Sequence, residues 1–160
     1  MKAAFALAML AVTLSPSGTY AQSSAPTARL LGPVLNAVAI DRELQFYETA
    51  FGLKPGMTLD HGTRREYMLR FSADPAEAGL ILVHDSGPDA PTSLTHGNGF
   101  DRIVLRVTDM DALVARLDAA GIGHDPVHEA ARGYRVLQLR DPEGYPLEVI
   151  QSGSSAGAAK

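Results

Sequence analysis

The apolar positions of this chain fall into two matching halves. In the first, Ile40, Leu44, Tyr47 and Phe51 recur at spacings of four, three and four, a single helical stripe with Asp41 in its first turn and Gly52 as the terminating residue. A strand is expected ahead of it over Leu30–Val38, and three more behind it, near Lys54–Leu59, Arg65–Ser72 and Gly79–His84. In the second half, Ile103, Leu105 and Val107 alternate with Arg102, Val104 and Arg106, the period of a strand with one buried face, here Phe100–Val107. Thr108 is expected to cap the next helix, with Asp111 in the capping-box position. Met110, Leu113, Val114 and Leu117 form its buried face and Gly121 stops it. Further strands are expected near Gly123–Val127, Tyr134–Leu139 and Tyr145–Gln151, the last two joined by the turn Asp141-Pro142-Glu143-Gly144.

The order is therefore βαβββ twice, with a connector rich in Gly, Pro, Ser and Asn over Ser86–Gly99. The fold class is α+β: two tandem βαβββ modules, about 29–86 and 99–151, forming a curled mixed sheet around a shared cleft. Each helix covers one face of its sheet, so the cleft is lined by the strand residues that point the other way. These are Gly32, Val34, Asn36, Glu66, Met68, Arg70, Ile81 and Val83 in the first module. In the second they are Val104, Arg106, Tyr134, Val136 and Gln138. Such a lining suits a polar small molecule with an apolar body.

Bulk properties narrow the partners. The 160 residues are 46% hydrophobic and 20% charged, enough for one domain with a sizeable core. Net charge is −4 and no basic stripe stands out, so neither nucleic acid nor an anionic membrane is an expected partner. The absence of cysteine excludes disulfides, thiol catalysis and a Cys-based zinc site. His124 and His128 stand four apart, but Pro126 between them breaks any helix that would align them on zinc.

The amino terminus follows the pattern of an export signal: Lys2, an apolar run over Ala3–Leu14, and a small-residue cleavage site at Thr19-Tyr20-Ala21. A signal peptide over 1–21, a linker over 22–28 and a small-residue tail over 152–160 thus flank a domain at 29–151. The mature chain is expected to be periplasmic or secreted, free of the membrane once the signal is removed.

Three stretches resemble the motifs of the vicinal-oxygen-chelate superfamily, whose members are glyoxalase-, bleomycin-resistance- and dioxygenase-like. They are Asp41–Tyr47 with Phe51-Gly52-Leu53, Thr108–Asp111 with Gly121-Ile122, and Asp141–Glu148 (DPEGYPLE). The first departs from the pattern, because Ala39 stands where the family's Asp is usual. The resemblance implies one divalent metal held by His and Glu from the first and last strands of each module. Here Gly32, Ile81 and Arg102 fall at three of those positions, and Glu148 alone matches. On this alignment no cofactor is expected; a divalent metal enters only if the strands are shifted.

Arg102 and Glu148 are the residues expected to carry the chemistry, the guanidinium standing where the metal would be and pairing with the carboxylate as a buried ion pair. The residues expected to bind ligand are Asn36, Glu66, Met68, Arg70, Arg106, Tyr134 and Gln138. The implied function is binding of a small organic molecule without metal. The alternative is a glyoxalase-like (lactoylglutathione lyase-type) isomerase or lyase, or a related enzyme with Glu148 as base. Glyoxalase I anchors the glutathione carboxylate with an arginine on its first strand, and Asn36 stands there. A protein without any ligand would instead fill the cleft with its own side chains. Many members of the family build the cleft between chains, so a homodimer is among the expectations.

Overall fold

A computed structural model of the chain describes residues 28–74 and 76–153. The expected signal peptide, the linker through residue 27 and the tail from residue 154 lie outside the described residues. Within them the order is β1 (Val34–Asn36), α1 (Ile40–Phe51), β2 (Lys54–His61), β3 (Arg64–Arg70) and β4 (Leu80–Asp85). The second module repeats it as β5 (Ile103–Arg106), α2 (Met110–Ala119), β6 (His128–Ala130), β7 (Tyr134–Arg140) and β8 (Pro146–Gln151). Each module has a four-stranded mixed sheet, in the orders β1-β4-β3-β2 and β5-β8-β7-β6, and the sheets are not closed on each other. Neither helix is long and apolar enough to cross a membrane.

Register makes the repeat quantitative. Val34 pairs with Ile81 in parallel, and Val104 pairs with Glu148 in the same way. Gly32 and Arg102, two residues ahead of these pairs, are thus equivalent, as are Ile81 and Glu148. Leu35, Leu82 and Tyr67 form a row on the helix side of the first sheet, and Leu105, Val149 and Leu137 form one on the second. With Met110, Leu113 and Leu117 of α2 and Ile40, Phe46, Tyr47 and Ala50 of α1 they make one continuous core. Burying a residue such as Leu137, which is fully enclosed, contributes roughly 1.5–3 kcal/mol.

Helix ends obey local chemistry, with one departure from expectation. Gly52 adopts φ 74°, and the amides of Gly52 and Leu53 turn back to the carbonyls of Glu48 and Tyr47. At α2 the cap is Asp109, not Thr108: Asp109 Oδ1 accepts from the Ala112 amide at 2.9 Å. Asp111 is left to receive the Arg135 guanidinium at 2.7 and 3.1 Å. The first strand is shorter than Leu30–Val38, because Gly32 lies at φ 141° and Pro33 has no amide to donate. Pro126 likewise displaces the expected strand at Gly123–Val127. Only an isolated His124–Leu139 bridge forms there, and β6 begins at His128.

The modules are fastened through the β7–β8 turn. Tyr47 O–H donates to Asp141 Oδ2 at 2.7 Å, and Arg42 donates to the Pro142 carbonyl at 2.9 Å. Glu143 Oε1 accepts from the amides of Val38 (3.0 Å) and Ala39 (2.7 Å), so the entry to α1 is capped from the other module, while Ala39 itself makes no side-chain cap. Tyr145 O–H reaches the Asn36 carbonyl at 3.2 Å, and the His96 ring packs edge-on against Tyr145.

Candidate functional site

The second sheet turns Val104, Glu148 and Gln138 outward in one cross-strand row, with Arg102 just ahead of β5. Arg102 Nε lies 3.2 Å from Glu148 Oε2, and its Nη1 also pairs with Asp101. Gln138 Nε2 approaches the same Glu148 oxygen at 3.5 Å. The pair differs from the buried one expected, since the Arg102 side chain is 39% exposed and that of Glu148 is 18% exposed. Water reaches the guanidinium and Asp101 competes for it, so the contact is worth at most about 1 kcal/mol rather than the several of an enclosed pair.

A cavity of about 550 Å³ opens beside Arg102, bordered by Gln138, Arg140, His124, Asp101 and Asp125 above Leu139, Pro146 and Leu147. His124 is held by the Asp125 carbonyl (2.9 Å) and the Asp118 carboxylate (3.2 Å). The Asp125 carbonyl first, then Asp118, raises its pKa above the ordinary histidine value. Sequence reasoning weighed His124 only as half of a zinc pair with His128, and passed over Arg140 and Asp125. Arg140 could have been found, because it continues the outward alternation of Gln138 along β7.

The other residues expected to bind ligand are dispersed. Glu66 and Met68 share the outer face of the first sheet with Asn36, as the register Asn36–Val83–Glu66 shows. Arg70 donates to the Asp74 carbonyl at 3.5 Å. Asn36 borders a separate cavity of about 250 Å³ with Arg64, Asp85 and the connector residues Pro91 and Leu94. Arg106 donates to Ser152 Oγ at 3.0 Å and borders a third cavity, of about 450 Å³, between the modules. Tyr134 opens β7, half-buried. Gln138 is therefore the one member of that group bordering the cavity at Arg102.

The four positions that hold a divalent ion in the family's enzymes do not fit one here. A Cβ added at Gly32 would lie 1.8 Å from the Gly79 carbonyl oxygen, so this position has no room for any side chain. Ile81 offers only hydrocarbon, and Arg102 is itself a cation. Glu148 alone is a ligand type, against the three or so protein ligands such an ion needs. His84 and His96 are engaged elsewhere, with the carbonyls of Ala37 (3.0 Å) and Glu143 (2.8 Å). Among the described residues no group of three His, Asp or Glu side chains is arranged to hold a metal ion.

Comparison with known proteins agrees with this architecture. A probable lactoylglutathione lyase of Synechocystis is 27% identical over 130 residues, covering 78% of this chain and 96% of that protein. A lactoylglutathione lyase of Arabidopsis thaliana is 27% identical over 127 residues. The match covers 78% of this chain but only 44% of the plant protein, so the chain spans less than half of that relative. Among solved structures, the trypanothione-dependent glyoxalase I of Leishmania major superposes with a TM-score of 0.66 at 24% identity, over 78% of this chain and 87% of that one. Glyoxalase I of Zea mays gives 0.69 at 22% identity, over 79% and 45%. The family model of the glyoxalase/bleomycin resistance protein/dioxygenase superfamily matches residues 30–149, and the chain belongs to that family.

Proposed function

We propose that this protein is an exported, metal-independent member of the superfamily that binds a small organic molecule on the outer face of its second sheet. The observation that carries the reading is the Arg102–Glu148 contact, opposite in the repeat to the closed Gly32 position. A guanidinium in the ion's place supplies a fixed positive charge and a planar donor fork, suited to a ligand carboxylate or enolate oxygen. Glu148 and Gln138 add an acceptor and an amide. The Lys2, Ala3–Leu14 and Thr19–Ala21 pattern supports export, to the periplasm or the medium. A homodimer is part of the proposal. The outward row Val34–Ile81–Met68–Met57 is apolar, with Val34 58% and Met57 45% exposed, and a second copy would cover it.

A second reading is a glyoxalase-like lyase or isomerase, favoured by the similarity to lactoylglutathione lyases and by the presence of Glu148. Glu148 would then move the substrate proton and Arg102 would hold the developing oxyanion. The test is metal content and thermal shift of the purified protein after EDTA and after refilling with nickel, zinc, manganese or iron. It is run beside an assay for turnover of the methylglyoxal–glutathione adduct. The expected result is no bound metal, no shift above about 1 °C and no turnover. Stoichiometric metal with a large shift refutes the primary reading, and turnover without metal selects the second.

A further inference from the structure

The junction between the modules holds a carboxyl group that the site above does not use. Glu43 lies on the buried face of α1 with Ile40, Tyr47 and Ala50, only 1% exposed. Neither of its carboxyl oxygens has a hydrogen-bond partner. A carboxylate enclosed without donors is strongly disfavoured, and such a group keeps its proton instead. Its neighbour across the junction, Asp141, is also buried but is supplied with donors, from Tyr47 O–H at 2.7 Å and the Tyr145 amide at 2.8 Å. Of the two acids Asp141 therefore carries the charge and Glu43 the proton. Burial first, and then the nearby Asp141, push Glu43 up to about 8; the Glu143 backbone amide opposes this, the Glu143 charge adds to it, and Arg42 opposes it.

The position matters because it is where the modules are fastened. On α1 the groups facing Glu43 are Arg42 and Tyr47; on the β7–β8 turn they are Asp141 and Glu143, with Tyr145 beyond and His96 on the Glu143 carbonyl. The same turn caps α1 through Glu143 and holds Arg42 through the Pro142 carbonyl. A second negative charge inside this contact would repel Asp141 and Glu143 together.

We propose that Glu43 is a proton-operated latch on the module junction: protonated, it lets α1 close against the β7–β8 turn, and ionised, it loosens that contact. In the unfolded chain Glu43 ionises at its ordinary value of 4.5, and in the folded one only near 8. Between those values the folded state holds the extra proton. Stability is thus undiminished below 4.5, falls as pH rises through this window and levels off above about 8.

The experiment uses the full chain. Carboxyl-carbon NMR of the wild type should show one glutamate titrating above pH 7, and the amides of Val38 and Ala39 should shift with the same midpoint. In Glu43→Gln that carboxyl signal and the coupled amide shift should vanish. The thermal midpoint of this variant should also fall less between pH 6 and 9 than that of wild type. A wild-type protein in which every glutamate titrates below pH 6.5, or in which the two amides ignore the titration, overturns the proposal whether or not the variant folds.

Discussion

Glu143 offers a direct test of how the two modules are held. Its carboxylate receives the Val38 and Ala39 amides at 3.0 and 2.7 Å, and the Ala39 amide is the donor that the acid of a capping box would otherwise accept at the start of α1. Replacing a helix cap costs about 0.5–2 kcal/mol, and an ionised acceptor at a helix amino terminus adds to its value. Two charge-assisted bonds at a half-buried site place Glu143→Ala at about 2 kcal/mol of lost stability. With a urea slope of roughly 1–3 kcal/mol/M for a domain of this kind, the unfolding midpoint should drop by about 1 M. Glu143→Gln keeps an acceptor oxygen and loses only the charge, so its drop should be about half as large. Equilibrium urea unfolding by circular dichroism reads both. An alanine variant within about 0.3 M of wild type, or a glutamine variant as unstable as the alanine one, refutes the idea that this side chain caps α1 across the junction.

Two further outcomes follow from the geometry. Asp109→Ala should cost about 1 kcal/mol and Thr108→Ala less than about 0.5, since Asp109 is the residue bonded to the Ala112 amide; denaturant midpoints of the two variants decide it. Arg102→Met should change stability by no more than about 1 kcal/mol, because the pair it removes is open to water; a loss of 3 kcal/mol or more in the same assay would mean an enclosed pair.

What the sequence made legible was what alternation and periodicity encode. Ile103 and Leu105 against Arg102, Val104 and Arg106 put the right residues on the right faces of β5. Gly52 and Gly121 marked both helix ends, each at positive φ. The misses have local causes. Pro126 removed a ladder donor, and β6 formed from His128, five residues after the expected start at Gly123. Asp109 outcompeted Thr108 as a cap. Glu43 escaped notice because it is a charged residue at a buried helix position, and its acidic neighbour is almost a hundred residues away in the chain. Arg102 and Glu148 could be paired on paper from the repeat. Their exposure could not, since it depends on how far the sheets stand open.

The close approach of Gly32 to Gly79 bears on what the protein could become. An ordinary lost ligand is one codon from return, but here the strand backbones themselves occupy the volume a side chain would need. Installing histidine at Gly32 would first require β1 and β4 to separate where the Gly79 amide now bonds the Leu31 carbonyl at 2.7 Å. The first module is thus committed by its backbone at Gly32, and new chemistry can be added more readily at Ile81, on the outer face of β4 between Val34 and Met68, than at Gly32 itself.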